Sequence, residues 1–402
     1  MEAVPLVEFD PYDWQTHEDP YPVYRRLREE APVYYSEKRD FWALSRHADV
    51  LAGFRDPVRF SNAHGVSLER DVREARTVMS FLGMDPPEHG RLRGLVSAAF
   101  TPRRVLGLER HIRSLADTYI DAFVETGHCE FIEDFAGGLP MDVISEMLGV
   151  PAADRTELRN SAELVVHREP DNPAVPPAGM EAAATMLRYF AAHVTDARKD
   201  PKDDLTGALI LAEVEGDQLS DPEIIAFLFL MIIAGNETTT KMLGNALYWL
   251  GRNPDQRAKV DADPRLIPAW AEETLRYDPS SQLLARTASC DIAIEGQTIP
   301  QGARVALLIG SGNRDERAFE NPDRFDVERN TSNSLAFGQG THFCLGASLA
   351  RLEARIALEQ VQARLGGWQV REDELERVHS SNVRGFARFP IDFTPSAPVG
   401  DH

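Results

Sequence analysis

Cysteine is nearly absent from this chain. Its 402 residues hold three, Cys129, Cys290 and Cys344, far apart and without CxxC or metal-type spacing. That argues against a disulfide framework and against a zinc site. Positive charge is also scarce: 43 Lys and Arg face 64 Asp and Glu, a net charge of −21. Such a balance disfavours nucleic acid and anionic membrane surfaces as partners. The longest apolar run, Ile224 to Ala234, is too short to span a bilayer. The first residues, Met1-Glu2-Ala3-Val4-Pro5-Leu6, have no basic stretch followed by an apolar one. No secretory signal or anchor is therefore expected, and the reading is a cytoplasmic protein. No internal repeat is visible.

What is present centres on residues 337–346, Phe-Gly-Gln-Gly-Thr-His-Phe-Cys-Leu-Gly. The glycines allow a tight backbone turn around Cys344. Leu345, Leu349, Leu352 and Ile356 then recur at helical spacing, predicting a helix from Ala347 to about Leu365. Cys344 thus precedes a helix N-terminus, where free N–H groups favour a thiolate. A thiolate in such a nest suits haem iron as an axial ligand.

Ser220-Asp221-Pro222-Glu223 carries the marks of a helix start, with Ser220 as N-cap and Glu223 closing a capping box. The helix is expected to run to about Arg252, before Asn253-Pro254, and to be buried along its apolar first half. At its middle, Ala234-Gly235-Asn236-Glu237-Thr238-Thr239-Thr240 is poor helix-forming sequence. A weak point in a long buried helix is a candidate for function.

Elsewhere the patterns predict a helix near residues 23–30, strands at 33–35 and 41–44, and a short helix at 47–55. Helices are predicted at 154–167 and 179–199, separated by a proline-rich loop at 169–177. Strands are predicted at 292–294, 297–300 and 305–309, and a hairpin turn at 380–386. Residues 1–20 read as an extended arm, at least over 1–15, and 61–84 as a long irregular segment. His89 and Arg93 share a helix face and suit a carboxylate ligand. Arg91, Arg93, Arg103, Arg104, Arg110 and Arg113 face a single acid, Glu109, over residues 91–113.

Phe337-Gly338-x-Gly340-x-His342-x-Cys344-x-Gly346 resembles the haem-binding signature of the cytochrome P450 family. Other elements of that family follow the same order along essentially the whole chain. His89 and Arg93 resemble its HxxxR pattern, and Ala234-Gly235-x-Glu237-Thr238 its oxygen-activating element. Glu273-x-x-Arg276 resembles its ExxR pair, and Arg324 the arginine of its later PxRF element.

The resemblance implies a mainly α fold, one domain over 1–402, with a long central helix over haem b and a small, mostly antiparallel β-region. Cys344 would be the metal ligand. His89, Arg93, Arg286 and His342 would hold the propionates, with Ala234, Gly235, Phe337, Gly338 and Gly346 against the haem. Glu273, Arg276 and Arg324 would form a structural ion network. Glu237 and Thr238 would deliver protons during activation of O2. Val78, Met79, Leu82, Leu230, Ile233, Ala234, Leu283, Leu284 and Val383 would line a pocket for a hydrophobic small molecule.

The implied activity is a monooxygenase hydroxylating or epoxidising that molecule, working as a monomer. Electrons would come from an acidic ferredoxin docked on the arginine-rich side near the cysteine, with NAD(P)H acting only through redox partners. A peroxide-driven oxygenase or decarboxylase, and a non-catalytic haem-thiolate sensor, share the fold. The Glu237–Thr238 pair and the arginine island favour the monooxygenase.

Overall fold

A computed structural model describes residues 7–69, 78–99, 101–169, 172, 174–214 and 216–400. Helices hold 53 % of the chain and strands 12 %, so the fold is mainly α. In chain order the helices are α1 (Trp14–Glu18), α2 (Tyr21–Glu30), α3 (His47–Arg55), α4 (Glu88–Ala99), α5 (Pro102–Gly107) and α6 (Glu109–Asp121). They continue with α7 (Gly138–Met147), α8 (Ala152–Val166), α9 (Pro177–Ala197), α10 (Leu205–Leu211) and α11 (Asp221–Gly251). The last are α12 (Pro254–Ala262), α13 (Ile267–Tyr277), α14 (Ile309–Gly312) and α15 (Ala347–Arg364).

The main sheet uses β1 (Val33–Ser36), β2 (Phe41–Leu44), β3 (Phe60–Ser61), β4 (Leu283–Ala288) and β5 (Arg304–Leu308), in the order β1-β2-β5-β4-β3. Its pairings are antiparallel except β2 with β5, which runs parallel. This agrees with the expected small, mostly antiparallel region.

The arm is not extended throughout. Asp13 caps α1 by accepting from the Thr16 N–H at 3.2 Å, and Phe9 and Tyr12 are buried. A capping side chain and an apolar anchor each favour local order that charge and proline content conceal. Residues 1–6 of the arm, 70–77 of the 61–84 segment, and 170, 171 and 173 of the proline-rich loop lie outside the described residues.

Helix α11 runs unbroken for 31 residues. Its start is as expected: the Glu223 carboxylate accepts from the Ser220 N–H at 2.8 Å. Ile224, Phe227, Leu228, Met231 and Ile232 are buried in a core shared with α7, α13 and α15. This helix is long and apolar enough to cross a membrane, yet most of it is covered by protein. The threonines do not break it. Thr238 and Thr240 donate their hydroxyls to the carbonyls four residues back, at 2.8 and 3.0 Å, which satisfies them within the helix.

The loop bearing Cys344 is held by an ion network. Arg276 grips Glu273 with two bonds of 2.7 and 2.8 Å, and neither side chain is exposed. Arg276 also donates to the Asn313 and Pro322 carbonyls, at 2.8 and 2.9 Å. Asn313 in turn accepts from the Leu335 N–H at 2.7 Å, just ahead of the cysteine loop.

The second arginine is not Arg324. That side chain is 61 % exposed and lies 3.7 Å from Asp255. Arg329 takes the place, with Nε 3.2 Å from Glu273 and 11 % exposure. Arg324 contributes its backbone carbonyl, which accepts from Arg329 at 3.1 Å. The loop curls between the two arginines, so the later one turns inward.

Removing one partner from a buried ion pair costs about 3–5 kcal/mol, whereas an exposed pair is worth roughly 1 kcal/mol or less. In urea unfolding, Arg329→Met should therefore lower stability by several kcal/mol and Arg324→Met hardly at all. Equal effects would refute this assignment of the network.

Candidate functional site

Cys344 sits at the end of a tight turn. Its N–H donates to the Phe337 carbonyl at 2.9 Å, closing the loop on itself. Gly338 and Gly340 have φ of 66° and 72°, which favours glycine at both. A Cβ on Gly340 would come within 2.7 Å of the Phe54 carbonyl, so the loop also packs tightly on α3. Gly346 differs: its φ is −82° and a Cβ there would meet no protein atom within 4 Å. Neither backbone nor packing demands this glycine.

The thiol is not activated by the loop alone. Burial pushes the Cys344 pKa up, against the N–H groups of Gly346 and Ala347 and the charges of Arg93 and Arg351. The N–H groups at the helix N-terminus thus favour the thiolate, and burial opposes it.

Four cationic or donor side chains converge beside this loop. Helix α4 brings His89 and Arg93, β4 brings Arg286, and the loop brings His342. The two imidazole rings are 4.1 Å apart. Arg93 donates to the Phe343 carbonyl at 2.6 Å. Among the described residues, His89 Nε2, Arg93 Nη1 and both ring nitrogens of His342 are buried with no partner within hydrogen-bond geometry, the Met84 backbone facing the His342 ring only loosely. Arg286 is 2 % exposed, and its side-chain bond is to its own neighbour, the Ala285 carbonyl at 2.8 Å.

Burial, and then Arg304 nearby, pull Arg286 down to about 10, with Asp85 opposing. Asp85 has its own oxygens engaged by Ser61 and the Asn62 N–H. His342 falls to about 3, through burial and then the charges of His89, Arg286 and Arg93. His89 falls through burial and Arg93. Buried polar atoms are ordinarily satisfied, and buried charges ordinarily paired. Among the described residues, this cluster of donors faces Asp85, already engaged, and lacks a free matching anion.

Above it, α11 presents Ala234 and Thr238 as an exposed and a half-buried position, with Gly235 half-buried beside them. Phe81 links the levels, with ring centroids 6.3 Å from Phe227 of α11 and 5.9 Å from His89. The Ser280 hydroxyl donates to the Thr238 carbonyl at 2.7 Å, fixing the chain ahead of β4 to the same turn of the helix. Glu237 is buried and lies 3.6 Å from the Lys241 ammonium, a partner not anticipated from the sequence.

Val78, Met79, Leu82, Leu230 and Ile233 are half-buried. Leu284 is half-buried too and shares a face of β4 with Arg286, because strand side chains alternate. Leu283 therefore points the other way, into a cluster with Phe9, Tyr24 and Leu27, and does not join this group. Val383 pairs with Ser281 and lines a small cleft with Phe9, His17 and Tyr24. Arg168, at the start of the proline-rich loop, donates its N–H to the His379 carbonyl at 3.2 Å and faces Glu69 at 3.5 Å.

The arginine island is less free than its sequence suggests. Arg91 pairs with Glu223 at 2.6 Å, Arg113 with Glu359 at 2.7 Å and Arg104 with Asp203 at 3.8 Å. Each acid comes from a distant segment. The side chain of Arg103 is outside the described residues.

Comparison with known proteins follows the same lines. The family model "Cytochrome P450" matches residues 164–365. A putative cytochrome P450 123 of Mycobacterium tuberculosis is 54 % identical over 390 residues, covering 96 % of this chain and 97 % of the relative. A steroid C26-monooxygenase of Mycobacterium tuberculosis is 38 % identical over 385 residues, covering 94 % of both. Among solved structures, cytochrome P450 CYP109Q5 from Chondromyces apiculatus superposes with a TM-score of 0.90 at 36 % identity, covering 98 % of this chain and 100 % of that one.

The titration of the donor cluster gives a test on the ligand-free protein. His342 has a folded pKa of about 3, below the ordinary histidine value of 6.5, so the unfolded chain binds more protons between them. Stability should fall as pH drops from 6.5 toward 3, and His342→Gln should flatten that slope. An identical slope in thermal unfolding of the variant would exclude a buried neutral His342.

Proposed function

The chain belongs to the cytochrome P450 family and is a monooxygenase of that family, and on this premise we propose that it oxidises a hydrophobic small molecule at a haem held by Cys344. The observation that carries the reading is the donor cluster without an anion. His89, Arg93, Arg286 and His342 fit two carboxylates, the propionates of haem b, which would satisfy the orphaned nitrogens and restore charge balance. The open side of Gly346 and the small ridge of Ala234 and Gly235 fit the approach of a flat ligand from either face. Phe337 and Gly338 belong to the same cradle.

Haem, which Cys344 and the donor cluster would hold, would supply the activation of O2, a chemistry that thiolate ligation favours. The protein supplies the surroundings. Iron held by Cys344 would favour its thiolate against the obstacle that burial sets. Glu273, Arg276 and Arg329 hold the loop in place. The Thr238 hydroxyl, which donates to the Ala234 carbonyl, keeps an oxygen lone pair to accept a proton and can pass its own forward. Glu237 beside it is the proton source we assign.

The lining we assign to the substrate pocket is Val78, Met79, Leu82, Leu230, Ile233 and Leu284, an apolar set. It suits a hydrophobic ring system, and a relative is named for steroid oxidation, so steroids are the first class to test. We assign hydroxylation or epoxidation as the outcome and a ferredoxin as the electron donor, reduced in turn by NAD(P)H through its reductase. The exposed Phe343 marks the side of the cysteine loop where it would dock, and the exposed Arg110 is a candidate cation for it. The chain would work in the cytoplasm as a monomeric single domain.

The dithionite-reduced protein with carbon monoxide should show a Soret band far to the red of a histidine-ligated haem, lost in Cys344→Ala. Steroids that displace the sixth ligand should shift the spin state. Thr238→Ala should cut product per electron pair by about tenfold or more, with hydrogen peroxide formed instead. A histidine-type spectrum would overturn the reading, and full turnover with peroxide but none with ferredoxin would overturn the electron donor.

A further inference from the structure

The turn at 380–386 is stitched to residues 280–282, which run from α13 toward β4. The Arg384 N–H donates to the Ser280 carbonyl at 2.7 Å and the Gln282 N–H to the Asn382 carbonyl at 2.8 Å, around the Ser281–Val383 bridge. The same stretch reaches α11 through the bond from Ser280 to the Thr238 carbonyl. It leads directly into β4, where Leu284 and Arg286 share a face. The turn itself seats on α11, since a Cβ on Gly385 would lie 3.0 Å from Lys241 Cα.

One carboxylate collects these pieces. Asp278 is wholly buried and accepts from Arg384 Nε at 2.8 Å, the Tyr21 hydroxyl at 2.6 Å, Trp249 Nε1 at 2.8 Å and Gln282 Nε2 at 3.3 Å. These donors come from the turn, α2, α11 and the stretch ahead of β4. Burial opposes the Asp278 charge, but Arg384, Arg377, Tyr21 and Trp249 outweigh it and hold the carboxyl below its usual range. Arg384 is 5 % exposed and donates its other nitrogens to the His17 and Glu18 carbonyls of the N-terminal arm. Asn245 of α11 donates to the Asp278 carbonyl at 3.0 Å and the Arg384 carbonyl at 3.3 Å, fixing both backbones to the helix. Apolar residues of similar volume would hold the fold about as well, since desolvation offsets most of the attraction in a buried pair. What the charges add is a single register between turn, strand and helix.

Resting on the monooxygenase reading above, we propose that Asp278 and Arg384 are positioning residues for substrate fit. By fixing the 380–386 turn against the start of β4, they place Leu284 relative to Thr238 and so set the shape of the pocket wall. They act through the turn and the strand, not by contact with the reacting atoms. Two buried carboxylates at one end of α13 thus divide the work. Glu273 fixes the cysteine loop, and Asp278, five residues on, fixes the strand and turn on the side of Thr238.

The test titrates the haem-loaded protein with two azoles and reads the absorption shift. Imidazole needs only the iron, whereas clotrimazole must also fit its bulky apolar body to the pocket wall. Asp278→Asn and Arg384→Met should each weaken clotrimazole about tenfold and imidazole hardly at all, with the carbon monoxide band unchanged. Arg384→Lys should recover part of the clotrimazole affinity. Arg364, 8 % exposed at the end of α15 and 3.1 Å from Asp117, serves as a control for lost stability. Arg364→Met should lower Tm and leave the ratio of the two affinities as it was.

Equal losses for the two azoles overturn the proposal, as does the same selective loss in Arg364→Met. Should neither Asp278→Asn nor Arg384→Met fold, Tyr21→Phe removes one bond and keeps the ion pair. It should weaken clotrimazole about threefold, and an unchanged affinity overturns the proposal. The carbon monoxide spectrum separates the two readings. A thiolate band with an unchanged azole ratio removes the role of Asp278 and Arg384 alone. Absence of the band in the unsubstituted protein removes the enzyme reading itself.

Discussion

Glu273 carries its charge at a position with no solvent exposure, where a lone carboxylate would cost several kcal/mol. Its surroundings follow from that constraint. Arg276 meets both oxygens, Arg329 meets one, and the Asp326 N–H adds a bond of 2.9 Å. To satisfy the arginines in turn, the backbone from Asn313 to Arg324 must present its carbonyls inward. Asn313 then fixes Leu335, and Leu335 accepts from the Gly338 N–H at 2.8 Å. The position of Cys344 is thus set by a carboxylate about seventy residues earlier in the chain. A hydrophobic cluster of similar volume would stabilise as much, so the network's contribution is geometric definition of a loop that has little core of its own.

The opposite condition holds beside the cysteine. There the fold keeps His89, Arg93, Arg286 and His342 together, and among the described residues buried nitrogens of His89, Arg93 and His342 have no partner. Burial first, and then the neighbouring positive charges, lower the pKa of both histidines. Such an arrangement is a net cost to the ligand-free chain. It is recovered when a dianion binds, because each new bond goes to a donor already stripped of water. Family membership implies haem as a cofactor, and its propionates are the dianion proposed for this cluster.

Helix α11 joins these two conditions. Its apolar residues anchor it in the main core, so a local concession to polarity is affordable at its centre. Three threonines, Glu237 and Lys241 occupy consecutive turns without interrupting the backbone ladder. The Thr238 and Thr240 hydroxyls close on carbonyls of their own helix, and the charges close on each other. Polar chemistry is thereby held at a fixed depth in a scaffold that does not need to bend.

By itself the sequence determined the features that depend on short spacing. Glycines at fixed offsets marked the Cys344 turn, a capping box marked the start of α11, and alternation or helical period marked most other elements to within a few residues. The donor set His89, Arg93, Arg286 and His342 was readable through motif resemblance. Only the tertiary structure decided which distant groups meet. It chose Arg329 over Arg324, since a curl of five residues turns one arginine inward and its neighbour out. It turned Leu283 away from Leu284 and Arg286, because the pleat allows one of two adjacent residues on a face. It gave Arg91 and Arg113 acids from Glu223 and Glu359, reducing a patch that faced a single acid along the chain. Local geometry is written in periods of two to four residues. Pairing across a hundred residues follows the path of intervening loops, which no local period encodes.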